Sequence, residues 1–291
     1  MRLSVLLILF VLVGCGSSEN ESVPASSPHT GDTWADVVQN GGGKLTAVYV
    51  PAEGFAYRDG NGNLTGVTID LLHEFTAFVE STYNVNVELS FVEETNWRTF
   101  YRDVAASDDG VIGMGNVTIT DARRSELRFS LPYMTNIASL ITHEDAPEIA
   151  DLQDMGEIWA GRTALAFDGT LHEERLRALV EHHYPDAQVD LAQSNDEIIE
   201  RLSEADQYFA YIDLYNYWRA VDRGAPLRRH PAGDEAAEQF GYILPLSTTW
   251  GEPLDAWFNA GNGLLETSRY REIMEAHLGA ELARTLMQAA E

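Results

Sequence analysis

Two adjacent arginines stand in an unusual place in the segment Asn116–Tyr133, NVTITDARRSELRFSLPY. Thr120 or Asp121 is a suitable N-cap, so the pattern predicts Arg123 and Arg124 in the first turn of a helix. That end of a helix already carries partial positive charge and unpaired amides. A capping box would place Glu or Gln where Arg123 stands. The segment therefore indicates a site for an anion, unless nearby acidic residues neutralise both arginines in solvent.

The elements before this segment alternate between strands and helices. Periodicity predicts the order strand, helix, strand, helix, strand at Leu45–Val50, Asp70–Ser81, Val85–Val92, Trp97–Ala106 and Gly110–Met114. Such an order is typical of an α/β fold with a mostly parallel sheet. Ligands of these sheets bind at the carboxyl ends of strands and at helix N-termini. The arginine segment follows the last of these strands and so occupies such a place.

A second alternating unit follows Tyr133, and the chain then returns. The patterns predict a crossing strand at Ile137–Thr142, a return crossing at Phe240–Leu244, strands at Arg162–Phe167, Val189–Leu191 and Phe209–Ile212, and helices at His172–Tyr184 and Asn195–Ser203. Pro253–Leu265 and Tyr270–Leu278 are expected to be final helices by the family resemblance given below. Two units joined by two crossings predict a hinge with a ligand cleft between them.

Composition excludes several classes of partner. The chain has 19 Lys+Arg against 46 Asp+Glu, a formal charge of −27. Nucleic acid is therefore not expected as a partner, and neither is purely electrostatic attachment to anionic lipid. No cofactor motif is present, and a metal site is not expected. Asp59, Asn61, Asn63 and Asp70 imitate a calcium loop, but Leu64 stands where that loop needs Gly.

The N-terminus predicts export. Residues 1–14 hold one arginine and a short apolar run, which suits a signal peptide and is too short to span a membrane. The run ends in LVGC, which resembles a bacterial lipoprotein processing box with Cys15 as the lipidated residue. The following residues are polar and lack apolar periodicity, so they are predicted to form a flexible tether.

Two blocks resemble the family 3 extracellular solute-binding proteins, the amino-acid receptors of bacterial ABC importers. One is T-I-T, two residues, Arg and then FS-x-PY, which here spans Thr118–Tyr133 and includes Arg123. The other is FAYRDGNGNLTGVTIDL at Phe55–Leu71. The resemblance implies a receptor that closes around an amino-acid-like solute, delivers it to a membrane permease, and is a monomer outside the cytoplasm.

The resemblance also implies the fold and its organisation. The expected fold is α/β and of the periplasmic-binding-protein type, with two lobes, each a mostly parallel sheet flanked by helices, and two hinge crossings. The expected parts are a signal peptide at 1–14, a lipidated cysteine and tether at 15–43, lobe one at 44–138, lobe two at 139–240 and a return to lobe one at 241–291.

In lobe one the resemblance implies that Arg123 holds the ligand's α-carboxylate, supported by Asn116 and Thr118. A planar guanidinium binds both carboxylate oxygens at once. Tyr57 and Glu53 are further candidates for the cleft, and Glu53 would favour a cationic or amine-bearing ligand. Tyr57 could alternatively pack in the core.

In lobe two the resemblance assigns Gly169 and Thr170 to the same carboxylate, and Asp213 to the α-ammonium. Thr170 and Asp213 could instead be ordinary helix N-caps. The sequence departs from the family at Ala52, where an aromatic residue commonly stacks on the ligand. The ligand's side chain is therefore less well predicted than its backbone end.

Two other classes of function remain open from the sequence. One is an enzyme on the same scaffold, like the periplasmic cyclohexadienyl dehydratases, with Glu53 or Glu173 as the acid. No paired acid and base is evident for it, and no GxSxG, P-loop or HExxH motif is present. The other is a sensory pair of lobes that signals to a partner.

Overall fold

The computed structural model describes residues 28–288. The predicted signal peptide and lipidated Cys15 lie outside the described residues. Within the described range, no helix combines the length and the apolar character needed to cross a membrane.

One large sheet runs through the whole molecule. Its strand order is β4-β1-β5-β11-β7-β10-β8-β9, β6 pairs with β11, and β2 and β3 form a separate hairpin. The strands are β1 (Gly42–Tyr49), β2 (Tyr57–Arg58), β3 (Leu64–Thr65), β4 (Asn86–Glu93), β5 (Val111–Thr118), β6 (Leu127–Phe129), β7 (Met134–His143), β8 (Thr163–Phe167), β9 (Val189–Ala192), β10 (Tyr208–Asp213) and β11 (Leu227–Pro245).

Helices cover the sheet, as expected for parallel strands that are buried on both faces. They are α1 (Trp34–Asn40), α2 (Val67–Tyr83), α3 (Trp97–Ala105), α4 (Asp121–Arg124), α5 (Met155–Ile158), α6 (Leu171–His183), α7 (Asn195–Glu204), α8 (Leu214–Asp222), α9 (Gly251–Phe258), α10 (Ser268–Leu278) and α11 (Ala280–Gln288), with 3-10 turns at Leu152–Asp154 and Leu264–Glu266.

The sheet divides into two halves, which we call lobe one and lobe two. In lobe one β1 pairs in parallel with β4 and β5, and in lobe two β8 pairs in parallel with β9 and β10. The long strands β7 and β11 pair antiparallel with each other and run between the halves. The predicted α/β fold with two lobes and two crossings is confirmed.

Several elements differ from the predictions, among them the helix predicted at Pro253–Leu265, which ends at Phe258. The tether predicted to reach residue 43 ends earlier, because Trp34 begins α1 and its indole packs against Trp250 and Tyr83. The helix predicted to start at Asp70 starts at Val67 instead, since Gly66, with φ of 129°, turns the chain from the short strand β3 into α2. The return crossing β11 is much longer than Phe240–Leu244, and α11 had no separate prediction.

A buried histidine marks the core of lobe two. The His230 ring is fully buried, with Nε2 2.8 Å from Thr142 Oγ1, and the Ile149 N–H donates to Nδ1 at 3.4 Å. Trp159 packs edge-on against the ring. Burial lowers the pKa of His230 to about 4, so the ring is neutral at pH 7.

We expect His230 to make folding sensitive to acid. Between its ordinary value of 6.5 and about 4, the unfolded chain takes up a proton that the folded protein does not. The free energy of unfolding should therefore fall by up to about 3 kcal/mol as the pH drops through this window. His230→Gln should reduce this slope, measured by denaturant unfolding at several pH values. Equal slopes in the parent and the variant would contradict the assignment.

Candidate functional site

A cavity of about 680 Å³ lies between the two lobes. Six predicted residues line it together, three from the arginine segment, one from the loop before β2 and two from lobe two: Asn116, Thr118, Arg123, Glu53, Thr170 and Asp213. Gly169 and Tyr57 are not among the lining residues.

Arg123 enters the cavity from α4, whose N-cap is Thr120. The Thr120 Oγ1 accepts a hydrogen bond from the Arg123 backbone N–H at 3.2 Å. The guanidinium Nη1 donates to the Thr118 carbonyl at 3.2 Å, and the guanidinium carbon lies 5.3 Å from the centre of the Trp97 ring. Capping and cation–π packing thus hold this side chain at the cleft wall.

Within residues 28–288 no carboxylate forms an ion pair with Arg123. Glu126, which could have neutralised it, instead accepts a hydrogen bond from Tyr101 at 2.8 Å. Burial lowers the pKa of Arg123 from its ordinary value, although arginine stays charged at neutral pH. A partly buried guanidinium without a carboxylate partner is suited to binding an anion.

Asn116 joins the two lobes at the cleft. Its backbone φ of 51° is left-handed, a conformation that asparagine tolerates better than most residues. Its Nδ2 donates to the Tyr215 hydroxyl of lobe two at 3.0 Å, and its Oδ1 accepts from the Tyr133 hydroxyl at 2.8 Å. The side chain is therefore fixed by two tyrosines.

Asp213 ends β10 and faces the cavity from lobe two. It occupies the N-cap position of α8, but its side chain makes no capping hydrogen bond. Its Oδ1 accepts from Asn136 Nδ2 at 2.6 Å and lies 3.0 Å from His172 Nε2. The residue is only 6% exposed, so its carboxylate is held in a defined orientation.

The turn before α6 serves the helix as well as the cleft. The Thr170 Oγ1 accepts the capping hydrogen bond from the Glu173 N–H at 3.4 Å. The Gly169 N–H donates to the Glu173 carboxylate at 2.7 Å, so that amide already has a partner. Thr170 thus acts as an N-cap and also lines the cavity.

The aromatic wall of the cleft differs from the expected one. Tyr57 lies away from the cavity, with its hydroxyl 3.5 Å from His277 Nδ1. Ala52 lines the cavity and offers no ring to a ligand, whereas Trp97 lines it and stacks on Tyr101. Trp97 thus offers an aromatic surface next to Arg123, and Phe167 and Tyr215 also line the cavity.

Glu53 contacts lobe two directly. Arg223 Nη1 donates to its Oε2 at 2.7 Å, and Arg219 and Arg223 both bond to its Oε1. The hydrogen bond from Arg223 lowers the pKa of Glu53, so the carboxylate stays ionised. Both oxygens are occupied by arginines at the C-terminal end of α8, Arg219 and the C-cap Arg223, and a cationic ligand would have to compete with them.

A second ion pair joins the lobes through Arg98 of α3. Its Nη2 donates to Asp168 Oδ1 at 2.8 Å and lies 3.8 Å from Glu173 Oε2. The hydrogen bond to Asp168 raises the pKa of Arg98. Each lobe therefore supplies an arginine to a carboxylate of the other.

A glycine follows the acid in both contacts. Gly54 and Gly169 have φ of 87° and 77°, where side chains are strained. A Cβ would lie 2.5 Å from Arg219 Nη1 at the first glycine and 3.1 Å from Arg98 Nε at the second. The first contact consists of Glu53–Gly54 with Arg219 and Arg223, and the second of Asp168–Gly169 with Arg98. We call them the two acid–glycine contacts.

Sequence reasoning missed several residues of the site. Tyr215 lies two positions after Asp213 at the start of α8, and His172 lies two positions after Thr170 at the start of α6. Closeness to these predicted residues was a weak signal for both. Asn136 carried no local signal, because its role depends on a strand distant in the sequence.

Two lobes on one continuous sheet, joined by two crossing strands and enclosing a cleft with charged groups from both lobes, define the class of two-lobed solute-binding proteins. The chain belongs to the bacterial extracellular solute-binding proteins, family 3, which it matches over residues 46–279. No curated protein sequence matches it.

Solved structures share this fold at low sequence identity. An ABC uptake transporter substrate-binding protein from Streptococcus pneumoniae with bound histidine has a TM-score of 0.66 at 19% identity, with 84% of this chain and 96% of that chain covered. The arginine-, lysine-, histidine-binding protein ArtJ from Geobacillus stearothermophilus has 0.63 at 19%, with 83% and 98% covered. A putative L-cystine ABC transporter from Listeria monocytogenes has 0.65 at 13%, with 82% and 97% covered.

We expect the two acid–glycine contacts to favour the closed arrangement of the lobes. Exposed ion pairs contribute at most about 1 kcal/mol each, so both must be removed together for a clear effect. The double variant Glu53→Gln/Asp168→Asn should have a larger radius of gyration by X-ray scattering without ligand. Sodium chloride at about 1 M should move the parent in the same direction, because salt screens these pairs.

Glu74→Gln is the matched control, because Glu74 pairs with Arg269 at 2.8 Å within lobe one. It should leave the radius of gyration unchanged. An unchanged radius in the double variant would show that the contacts do not hold the lobes together.

Proposed function

We propose that the protein is an extracytoplasmic receptor of an ABC importer that closes around an amino-acid-like solute. The observation that carries this proposal is the presence of Arg123 and Asp213 in one cavity, on opposite lobes. A guanidinium suits an α-carboxylate, and a carboxylate suits an α-ammonium. A ligand that carries both groups would draw the lobes together.

The surroundings of each group support this assignment. Arg123 has no carboxylate partner within the described chain, and Thr118 and Asn116 line the same cavity. Asp213 is buried and oriented by Asn136 and His172 rather than used as a helix cap. Both groups are thus held in place for a ligand by surrounding residues.

The side-chain end of the cleft has room for more than a small amino acid. The cavity of about 680 Å³ lies in the usual range for small-molecule sites, and Ala52 leaves one wall open. Among the solved structures with this fold, one has bound histidine, one is an arginine-, lysine-, histidine-binding protein, and one is a putative L-cystine ABC transporter. The proposed solute class therefore extends from polar standard amino acids to larger zwitterions such as cystine.

The proposal includes the finer features that the sequence suggested. These are lipid attachment through Cys15, delivery to a membrane permease, a monomeric state, and binding without chemical change of the ligand. The family supports an extracytoplasmic location. Recovery of the bound solute unchanged by mass spectrometry would separate a receptor from an enzyme on the same scaffold.

We expect at least one amino acid to stabilise the protein in a thermal-shift screen. A ligand present at about 100 times its Kd adds about 2.7 kcal/mol to the free energy of unfolding. The screen should contain the standard L-amino acids, L-cystine, simple amines and simple carboxylates. Stabilisation only by molecules that lack either the carboxylate or the ammonium would contradict a zwitterion receptor.

Arg123→Ala should abolish most of the affinity for the amino acid found in that screen. Removing one partner of a buried charge pair costs about 2 to 5 kcal/mol, which is a loss of tens to thousands of times in affinity. Titration calorimetry would measure the loss. The matched control is Arg124→Ala, since Arg124 is exposed and packs on Phe129. Equal affinity in the parent and Arg123→Ala would exclude Arg123 as the carboxylate anchor.

A further inference from the structure

Asn136 is a fully buried polar residue on the crossing strand β7. Its Nδ2 donates to Asp213 Oδ1 at 2.6 Å and to Glu238 Oε2 at 3.1 Å. Glu238 lies on the other crossing strand, β11, directly opposite Asn136 in the antiparallel register. One amide nitrogen on the crossing strand β7 therefore contacts both the cleft carboxylate of Asp213 and the carboxylate of Glu238 on the other crossing strand.

At the other end of this arrangement, a cation neutralises the negative charge of Glu238. Glu238 is 5% exposed and forms an ion pair with Arg175 of α6. Burial lowers the pKa of Arg175, although the side chain remains cationic. The same helix provides His172, the second group beside Asp213. A chain of buried contacts thus runs from Arg175 through Glu238 and Asn136 to Asp213.

The chemistry of an asparagine amide suits this position. Its NH₂ group has two N–H bonds, so it can donate to two carboxylates at once. A leucine of similar size would leave both carboxylates without that donor, and an aspartate would add a third negative charge. The Asn136 Oδ1 is buried and has no hydrogen-bond partner within residues 28–288. The contacts of the amide on its nitrogen side therefore determine its orientation.

We propose that Asn136 is a positioning residue that sets the specificity for the ligand's ammonium group. Asn136 Nδ2 donates to Oδ1 of Asp213, and His172 Nε2 lies beside the same oxygen. Asp213 itself lines the cavity, so these contacts orient its carboxylate at the cleft wall. This inference rests on the proposed function, because it requires Asp213 to bind an ammonium.

The test compares two probes that differ only at the α-position. The first is the tightest-binding member of the panel of standard L-amino acids and L-cystine. The second is its 2-hydroxy acid, in which a hydroxyl replaces the ammonium. Both keep the carboxylate for Arg123, so a change confined to the first probe reports on ammonium recognition.

Asn136→Ala should weaken binding of the amino acid by about tenfold or more, because hydrogen bonds to charged groups are worth about 1.5 to 3 kcal/mol. Binding of the 2-hydroxy acid should change by less than about threefold, which is under 1 kcal/mol. Asn136→Ser keeps one donor and should recover part of the loss. If Asn136→Ala does not fold, Asn136→Ser gives the same comparison with a smaller effect.

Ser139→Ala is the matched control on the same strand. Ser139 is fully buried, and its hydroxyl has no hydrogen-bond partner among the described residues. Its substitution should leave both affinities unchanged. If the Asn136 variants lose both probes equally, or neither, the positioning role is wrong while the receptor function stands. If the parent binds no member of the panel, the proposed function itself fails and this inference fails with it.

Discussion

The antiparallel pairing of β7 with β11 is the constraint on which the rest of the structure depends. These strands lie at the centre of the sheet, with β5 beside β11 and β10 beside β7. The pairing thereby fixes the relative positions of Thr118 at the end of β5 and Asp213 at the end of β10. The axes of β5 and β10 are three strand spacings apart, roughly 14 Å in a flat sheet. A long arginine from one side and a short carboxylate from the other line the cavity between them.

The cleft contains several arginines although the protein as a whole is strongly acidic. The net charge of −27 gives no local attraction for a carboxylate. Screening over about 8 Å at physiological salt leaves nearby groups in control of binding. Arg98, Arg219 and Arg223 already have carboxylate partners from the opposite lobe. Arg123 differs from them because an aromatic ring and a carbonyl support it, and this difference marks it as the group for a ligand.

The sequence predicted the parts of the fold that depend on local patterns. The α/β alternation, the capped turn at Arg123 and the helix start at Thr170 all follow from periodicity and capping, which act over a few residues. The length of β11 did not follow, because its register shifts between His230 and Glu238 and so interrupts the alternation of a regular strand.

Contacts between distant segments were beyond local reasoning. Glu53 was expected in the cleft, but its arginine partners lie at the C-terminal end of α8, far along the chain. The expectation of a cationic ligand assumed that the Glu53 carboxylate had no partner in the protein. The arginine partners remove that assumption. Asn136 shows the same limit, since an asparagine in a strand looks like an ordinary polar residue until Asp213 and Glu238 are placed beside it.

The two acid–glycine contacts limit the exchange of a single lobe between this protein and a relative. In each contact one lobe provides an arginine and the other provides an acid followed by a glycine. A chimera that took lobe two from a relative would replace Arg219 and Arg223 as well as Asp168 and Gly169, so both contacts would lose one half at once. The lobes of this protein are therefore matched to each other, and Glu53–Gly54 and Arg98 would have to be exchanged together with lobe two.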